Sequence, residues 1–275
     1  MKGRLRAILA GTAFAMAQAA SAQAGLRLDV EVRERGAETA PPERWTVWLD
    51  GKRLAAEPAR SPGAAPARRA IFRGAEDVAW LVDPAQRSYF QLDPRSAEAI
   101  ASQLAGLRSG VAQGLEMLSP EQREAAKGLL GELASPPPVT PPTLRLRLRV
   151  EQARHAGLAC TRNDVLEGER NVAELCLAAW GTGPLTRERA EALPALLSFL
   201  RRTLAPLVRE VASLRPLAPL TTLPRLQGFP LAARVAEAGQ PPREIALVSI
   251  EQRAVDLSLF ELPAGYARSL VPPFE

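Results

Sequence analysis

Short segments in which apolar and polar residues alternate dominate both ends of this 275-residue chain. In the first of them, residues 26–33, four aliphatic side chains alternate with four charged ones in the order LRLDVEVR. A β-strand with one buried face and one solvated face produces this period of two. The next segments are RWTVWLDGKRLAAE, with the hairpin turn signal Asp50-Gly51, and RAIFRGAEDVAWLVDPAQRSYFQLD. The alternation therefore predicts an antiparallel meander over about residues 26–92.

A helical period replaces the alternation from Ser96 onward. Apolar residues recur there every three or four positions, which is typical of a single stripe along a helix. The stripe consists of Ile100, Leu104, Leu107, Val111, Leu115 and Leu118. Gly106, Gly110 and Gly114 recur along the same span, which we interpret as a close contact between helix and sheet rather than as a dimerisation motif.

Two further helices are expected. The sequence SPEQ predicts a capping box, with Ser119 as N-cap and Gln122 as its partner, at the start of a helix ending near Leu133. The segment LTRERAEALPALLSFLRRTLAPLVREVASL predicts another helix, which Pro194 and Pro206 should break or kink. Its apolar face would contain Leu193, Leu196, Leu197, Leu200, Leu204, Leu207, Val208 and Val211.

Strand patterns return after a proline-rich connector at about residues 135–142. The segments TLRLRLRV, GFPLAARVAEAG, REIALVSIEQR and LSLFELP all read as strands. We therefore predict an α+β fold. It would be a curved antiparallel β-sheet, open or a half barrel, with amphipathic helices packed on one face and one hairpin disulfide.

The N-terminus predicts export. Residues 1–22 contain three basic residues, an uncharged alanine-rich run and the small-residue triplet Ala20-Ser21-Ala22, which is the order of a secretory signal peptide. The apolar run is shorter than the roughly 18–20 residues of a spanning helix. No cysteine follows the cleavage site, so a lipid-modified N-terminus is not indicated. We expect cleavage near Ala22 and a single, soluble periplasmic domain at residues 23–275, without a transmembrane segment.

The chain contains two cysteines, Cys160 and Cys176, placed symmetrically about Gly168. Gly168 favours a tight turn between two strands, because glycine adopts positive φ without strain. Antiparallel pairing about that turn would place the cysteines directly opposite each other, within reach of a disulfide. An exported protein meets an oxidising compartment, so we predict a structural disulfide. The spacing differs from a redox-active C-x-x-C, and a metal site would need ligands beyond the single histidine, His155.

Charge argues against nucleic acid as a partner. Without residues 1–22 the chain has 32 Lys and Arg against 30 Asp and Glu, a small excess compared with the clustered basic face of a nucleic-acid-binding protein. The local exception is the row Arg145, Arg147 and Arg149 on one face of a strand. This row is a candidate site for an anionic lipid or polysaccharide, or else the solvated side of a half-buried strand that acidic neighbours neutralise.

Sequence signatures of catalysis are not found. One histidine leaves a single base for a Ser-His or Cys-His device, and no G-x-S-x-G, phosphate loop, G-x-G-x-x-G or H-E-x-x-H occurs. Paired carboxylates of the glycosidase type leave little trace in a sequence and stay open. We predict no catalytic residues, no metal ligands and no cofactor.

Several of these segments together resemble a known family. They are VAWLVDPAQRSYFQLD, LSPEQR, GLACTRNDVLEGERNVAELCLAAW, GFPLAARV and FELPAGY, and the resemblance extends over most of the mature chain. The series resembles the bacterial exported proteins grouped as domain of unknown function 4412. The chain departs from that pattern at Asn163, where an aromatic residue is common, and in its leucine-rich helix, where Met117 is the main methionine. The family is similar in plan to periplasmic lipoprotein-carrier folds, in which helices pack into a curved sheet.

The resemblance implies a non-enzymatic periplasmic protein that binds or carries a hydrophobic ligand or lipid. The helix stripe from Ile100 to Leu118 would then be the apolar ligand face, lining a cavity of several hundred Å³. One alternative is a structural or envelope-stress interaction protein with a filled core, whose partner would be an envelope protein. A hydrolase is the third possibility. The sequence leaves the oligomeric state open.

Overall fold

The structure is a computed structural model that describes residues 24–34, 41–59, 67–130, 142–211, 214, 217–235 and 241–270. The predicted signal peptide, residues 1–22, and most of the proline-rich connector lie outside these ranges. The first six strands are β1 (Gly25–Glu34), β2 (Glu43–Asp50), β3 (Arg53–Pro58), β4 (Arg69–Arg73), β5 (Val78–Asp83) and β6 (Ser88–Leu92). The later strands are β7 (Leu144–His155), β8 (Leu158–Glu167), β9 (Arg170–Ala179), β10 (Gly228–Val235), β11 (Arg243–Arg253) and β12 (Ala267–Ser269). The helices are α1 (Pro94–Glu116), α2 (Pro120–Leu130), α3 (Ala192–Glu210) and α4 (Ala218–Thr222).

The twelve strands within the described ranges belong to one sheet, in the order β12-β6-β5-β4-β3-β2-β1-β11-β10-β9-β8-β7. Neighbouring strands are antiparallel except for the parallel pair of β12 and β6. The sheet is open, with β12 and β7 at its edges. The predicted α+β class, with an open and largely antiparallel sheet and a hairpin disulfide, is confirmed.

The strands of the meander bury side chains on both faces of the sheet. Leu54 of β3 lies opposite Phe72 of β4, on the side that faces α3. The next pair, Ala55 and Ile71, points to the other side, where the nearly fully buried Phe260 packs against it. Successive residues of a strand point to opposite faces, so one hairpin contributes to two apolar clusters.

The C-terminal segment corrects one predicted strand. LSLFELP forms a short 3-10 turn at Leu257–Phe260 instead. A carboxylate oxygen of Asp256 accepts a hydrogen bond from the Ser258 backbone N–H at 3.0 Å, which favours a capped turn over an extended strand. The turn allows Phe260 to reach the cluster of Ala55 and Ile71.

The first two helices begin at side-chain caps, and the predicted cap at Ser119 is confirmed. The Asp93 carboxylate accepts from the Ser96 backbone N–H at 2.8 Å, so α1 begins at Pro94, two residues before the predicted start. In α2 the Ser119 hydroxyl accepts from the Gln122 N–H and the Gln122 side chain accepts from the Ser119 N–H, which is the predicted capping box.

The third predicted helix is shorter than expected and uninterrupted. Its first residues, 185–191, form turns, and α3 begins at Ala192. Pro194 lies in the first turn, where a missing backbone N–H costs nothing, and α3 continues through Pro206. A break at these prolines is therefore wrong, whereas the alternative of a kink stays a prediction.

The helices are layered. Phe199 of α3 is fully buried, and its ring centroid lies 5.2 Å from that of Phe72 in the sheet. α1 packs mainly on α3, where Ala97 and Ala101 contact Leu207.

This layering corrects the prediction that the α1 stripe covers the sheet. α3 occupies that position, and α1 lies outside it. A Cβ atom added at Gly106, Gly110 or Gly114 would meet no atom of the described residues within 4 Å, so these glycines make no close contact with a described strand. Within the stripe, Leu115 is buried, whereas 46% of Ile100 and 62% of Leu107 are exposed.

Candidate functional site

A cavity of about 760 Å³ lies between the first half of α3, the loop that follows β9 and the segment that precedes β10. Its size is within the range of small-molecule sites. Its apolar wall is formed by Trp180, Leu193, Pro194, Leu197, Pro224 and Leu226. Its polar rim is formed by Arg187, Glu188, Glu191, Ser198, Arg201, Arg225 and Gln227, and Gly228 closes the lining.

The loop at residues 180–191 is anchored at several points. Gly181 and Gly183 have φ values of +92° and +56°, a region that glycine occupies without strain. They allow a small bridge between Thr182 and Leu185, and Leu185 is fully buried in the main core. The backbone N–H of Ala192 donates to the carbonyl of Gly51 at 2.7 Å. The loop is therefore a fixed wall of the cavity.

Trp180 follows β9 directly and is held by an aromatic contact. Its ring meets that of Phe229 edge to face, with the centroids 6.1 Å apart. The Arg187 guanidinium lies over the Trp180 ring, 6.0 Å from its centroid, in cation–π geometry. An apolar surface and a positive charge thus meet at this end of the cavity.

Gly228, at the start of β10, allows the backbone of this strand to approach β9. A Cβ atom at this position would lie 2.2 Å from the carbonyl oxygen of Ala178, which is far closer than atoms can pack. The backbone of β10 can therefore pair with β9 here only through glycine. This pairing positions the lining residues Pro224 and Leu226 across from α3.

Charge on the rim is only partly compensated. The Glu191 carboxylate forms an ion pair with Lys52 at 3.2 Å. Arg201 donates from Nη2 to the carbonyl of Leu223 at 2.9 Å, while its Nε–H is buried and has no partner among the described residues. The rim therefore combines three arginines with two carboxylates, one of which is already paired.

The predicted ligand face on α1 borders a different feature. Leu107 and Val111 line an open groove of about 680 Å³ together with Gln103, Gly106 and Gly110. The cavity on the sheet side is lined by α3 and by none of the six stripe residues. Whether the stripe binds a ligand stays a prediction.

The disulfide between Cys160 and Cys176 is present, as the sequence predicts. Both cysteines are buried in the main core cluster, together with leucines of β1 and Phe229 of β10. Their Cα atoms are 5.4 Å apart across the hairpin of β8 and β9. The bond ties the strand that leads into Trp180 to its neighbour.

The pairing register of this hairpin differs from the expected one. Cys176 lies opposite Arg162, so the disulfide joins diagonal rather than directly facing residues. The turn consists of Gly168 and Glu169 rather than being centred on Gly168, which has φ +59°. A register shift between Val165 and Leu166 adds the rest of the displacement.

His155 lies close to the disulfide. One of its ring nitrogens and the two sulfur atoms lie within 4.8 Å of one another, and His155 is half-buried. Disulfide sulfurs are not thiolates, so this trio offers a metal ion only the imidazole while the bond exists. The sequence gives no sign of this contact, because spacing along the chain does not show which strand face a residue occupies.

Two arginines of the predicted anion face are engaged with the protein itself. Arg147 and Arg149 contact the fully buried Asp164 at 2.8 Å and 2.7 Å, and Arg145 donates to the carbonyl of Gly168. Burial by itself would raise the pKa of the Asp164 carboxyl, but hydrogen bonds from Arg149 and Arg147 outweigh it and hold the pKa below its usual value. These contacts match the alternative that acidic neighbours neutralise the row.

The aliphatic side chains of β7 are more exposed than the alternating pattern predicts. In β7, 71% of Leu148 and 99% of Val150 are exposed. The pairing with β8 shifts register between Leu148 and Gln152 at this edge of the sheet, which interrupts the regular alternation of faces.

The sequence did not single out the residues that line the cavity. Leu193 and Leu197 belonged to the predicted apolar face of α3, but a helix stripe does not show whether it faces a filled core or a cavity. Trp180, Arg201 and Arg225 are far apart in sequence, and no motif joins them.

Comparisons with solved structures find partial likenesses. MucB superposes with a TM-score of 0.36 and 11% identity, over 89% of this chain and 59% of that one. The Pseudomonas aeruginosa MucA/MucB complex gives 0.37 and 10%, over 88% and 57%. The LolA superfamily protein NE2245 from Nitrosomonas europaea gives 0.30 and 10%, over 87% and 90%. The chain thus spans about three fifths of the length of the MucB chains, and superpositions this partial assign no function.

Sequence comparisons add no family. No protein-family model and no curated protein matches the chain, so the resemblance to domain of unknown function 4412 is not confirmed. Within the described ranges, no helix has both the length and the apolar character needed to cross a membrane.

Proposed function

We propose that the protein is a non-enzymatic, exported periplasmic binding protein that holds an apolar ligand, such as a lipid acyl chain, in the cavity beside α3. The observation that supports this most is the cavity itself, about 760 Å³ with Trp180, Leu193 and Leu197 on its wall. An apolar wall with a few polar groups at one side is the usual form of a small-molecule site.

The cavity is built for binding rather than for chemistry. The single histidine, His155, lies beside the disulfide and not on the cavity, so Ser198 on the rim has no imidazole base. Glu191 is paired with Lys52. These contacts support a binding role and count against the hydrolase alternative.

The position of the cavity supports a stable, preformed site. Its floor is α3, whose Phe199 is fixed on the sheet, and its wall is the anchored loop 180–191. The sequence of residues 1–22 and the disulfide both support an exported location, since disulfides persist in oxidising compartments.

Binding of the neutral fluorescent probe N-phenyl-1-naphthylamine to the purified mature protein tests the proposal. We expect saturable binding that Leu197→Glu weakens by about tenfold or more, because the variant places a charge in the apolar wall. Leu107→Glu on α1 is the matched control and should bind like the wild type. Circular dichroism verifies that both variants fold.

The pair of variants separates the alternatives. Loss of binding in Leu107→Glu but not in Leu197→Glu would move the ligand to the α1 stripe that the sequence predicts. Absence of saturable binding, together with no co-purifying lipid in native mass spectrometry of protein from the periplasm, would favour the structural or envelope-stress interaction protein.

A further inference from the structure

We propose that the ligand of this cavity is an anionic amphiphile with a single acyl chain, whose carboxylate or phosphate head is held by Arg187, Arg201 and Arg225. The inference rests on the proposed function and adds the chemical class of the ligand. Its basis is that three arginines line the same apolar-walled cavity.

These arginines differ from most of the arginines on the strands. Arg147, Arg149 and Arg162 each have a carboxylate within 4.0 Å, as do many further arginines of the strands. Arg187, Arg201 and Arg225 have none within that distance among the residues that the structure describes. Because both charges are otherwise abundant in the chain, a group of three uncompensated cations beside an apolar wall indicates an anion supplied from outside.

Arg201 is the least exposed of the three. It extends from α3, and its guanidinium is fixed by the hydrogen bond from Nη2 to the Leu223 carbonyl. That bond uses one of five N–H donors, and the Nε–H is buried, so the donors left for an oxyanion are the other N–H groups of the two Nη atoms. A fixed guanidinium with unused donors is well suited to bind an oxyanion, because little side-chain entropy remains to be lost.

Arg187 marks the boundary between the apolar and the charged parts of the site. Its guanidinium lies 6.0 Å from the centroid of the Trp180 ring, which itself belongs to the apolar wall. A chain lying against Trp180, Leu193 and Leu197 would therefore have its head group at the arginines. The opposing carboxylate on this rim is Glu188, since Glu191 is paired with Lys52, so the net charge favours an anion.

The volume limits the ligand to one chain. About 760 Å³ is in the range of sites for drug-sized molecules, which is comparable to a single long acyl chain with a small head. Carboxylate and phosphate both accept charge-assisted hydrogen bonds from guanidinium, so the shared chemistry is an oxyanion on a single chain.

Displacement of N-phenyl-1-naphthylamine by three ligands of equal chain length tests the inference. Hexadecanoate and hexadecyl phosphate should displace the probe at about tenfold lower concentration than hexadecanol, because only the anions form charge-assisted hydrogen bonds. A preference between the two anions identifies the head group. Raising the salt concentration should reduce the advantage of the anions, since two of the arginines are exposed.

Single substitutions test whether the arginines of the cavity rim cause the preference for anions. Arg201→Gln and Arg225→Gln should each reduce the anion preference about threefold to tenfold and leave displacement by hexadecanol unchanged. The exposed Arg154→Gln on β7 is the matched control and should retain the full preference. Arg225→Gln keeps the test valid if Arg201→Gln fails to fold after losing its bond to Leu223.

The outcomes separate the two proposals. Probe binding with equal displacement by hexadecanol and hexadecanoate would overturn the anionic head group and leave apolar binding intact. A preference for anions that survives in both cavity variants but falls in Arg154→Gln would overturn the assignment to this rim. Failure of the probe to bind the wild type would overturn the proposed function and, with it, this inference.

Discussion

The helices α1 and α3 have similar apolar periodicity and opposite environments. α3, of 19 residues, buries Phe199, Leu204, Leu207 and Val208 and lines the cavity with its first half. α1, of 23 residues, buries chiefly two alanines and Leu115. Its Ile100 and Leu107 are largely exposed.

The difference follows from the order in which the layers stack. An apolar stripe on a helix specifies that one side prefers to leave water, but not which surface covers it. α3 has Phe199 at the position of closest approach to Phe72 and reaches the sheet. α1 presents Ala97 and Ala101 to α3 and is joined to it by the Arg108–Glu210 ion pair, so its large apolar residues point elsewhere.

The largest difference in stability between the two helices is expected when the contact that holds α3 on the sheet is removed. Phe199→Ala should lower the free energy of unfolding by about 3–5 kcal/mol, because it leaves a cavity between α3 and Phe72. Leu107→Ala on α1 is the matched control and should change the free energy of unfolding by less than about 0.5 kcal/mol. Urea unfolding of the two variants measures the contrast. Equal decreases in the free energy of unfolding would show that Leu107 is buried in solution, which would contradict the outer position of α1.

A smaller effect is expected from the hairpin that supports the α3 cavity. The double variant Cys160→Ala/Cys176→Ala opens a loop with a sequence separation of 16 residues and should lower the free energy of unfolding by about 3 kcal/mol. Wild-type protein unfolded in the presence of a reductant should approach the variant. Free thiols in exported protein, detected by mass mapping without reduction, would contradict the disulfide.

The smallest effect concerns the attachment of α1. Arg108 donates to both the carboxylate and the backbone carbonyl of Glu210. Arg108→Ala should weaken this attachment by about 1 kcal/mol, since the pair is only partly shielded from solvent. Hydrogen exchange should therefore accelerate in α1 more than in α3. The exposed Arg95→Ala is the control, and uniform acceleration of both helices would contradict separate layers.

Much of the fold follows from local patterns. The two-residue period located the strands of the meander, and the residues Asp50-Gly51 located a hairpin turn, because both depend on neighbours in the sequence. The capping box at Ser119 is also local, since its two hydrogen bonds join residues three apart. The strand predicted for LSLFELP failed because a side chain, Asp256, caps a turn that its alternation does not reveal.

The candidate site follows less from the sequence. The α1 stripe was expected to line a cavity, yet the cavity of about 760 Å³ forms at α3. Its wall joins Trp180 after β9, Leu197 on α3 and Leu226 before β10, and these meet only through strand pairing and helix packing. A pattern of period two or 3.6 describes which side of one element is apolar and contains no information on which other element covers it.

By itself the sequence determined the class of fold and the hairpin that holds Cys160 and Cys176. These properties depend on periodicity and turn chemistry, which act over a few residues. Only the tertiary structure decided that α3 rather than α1 lies on the sheet, and that Arg187, Arg201 and Arg225 border one apolar cavity. The physical reason is that either helix could cover the sheet face, and which one does so depends on how well its side chains pack there. Phe199 and its neighbours give that position to α3.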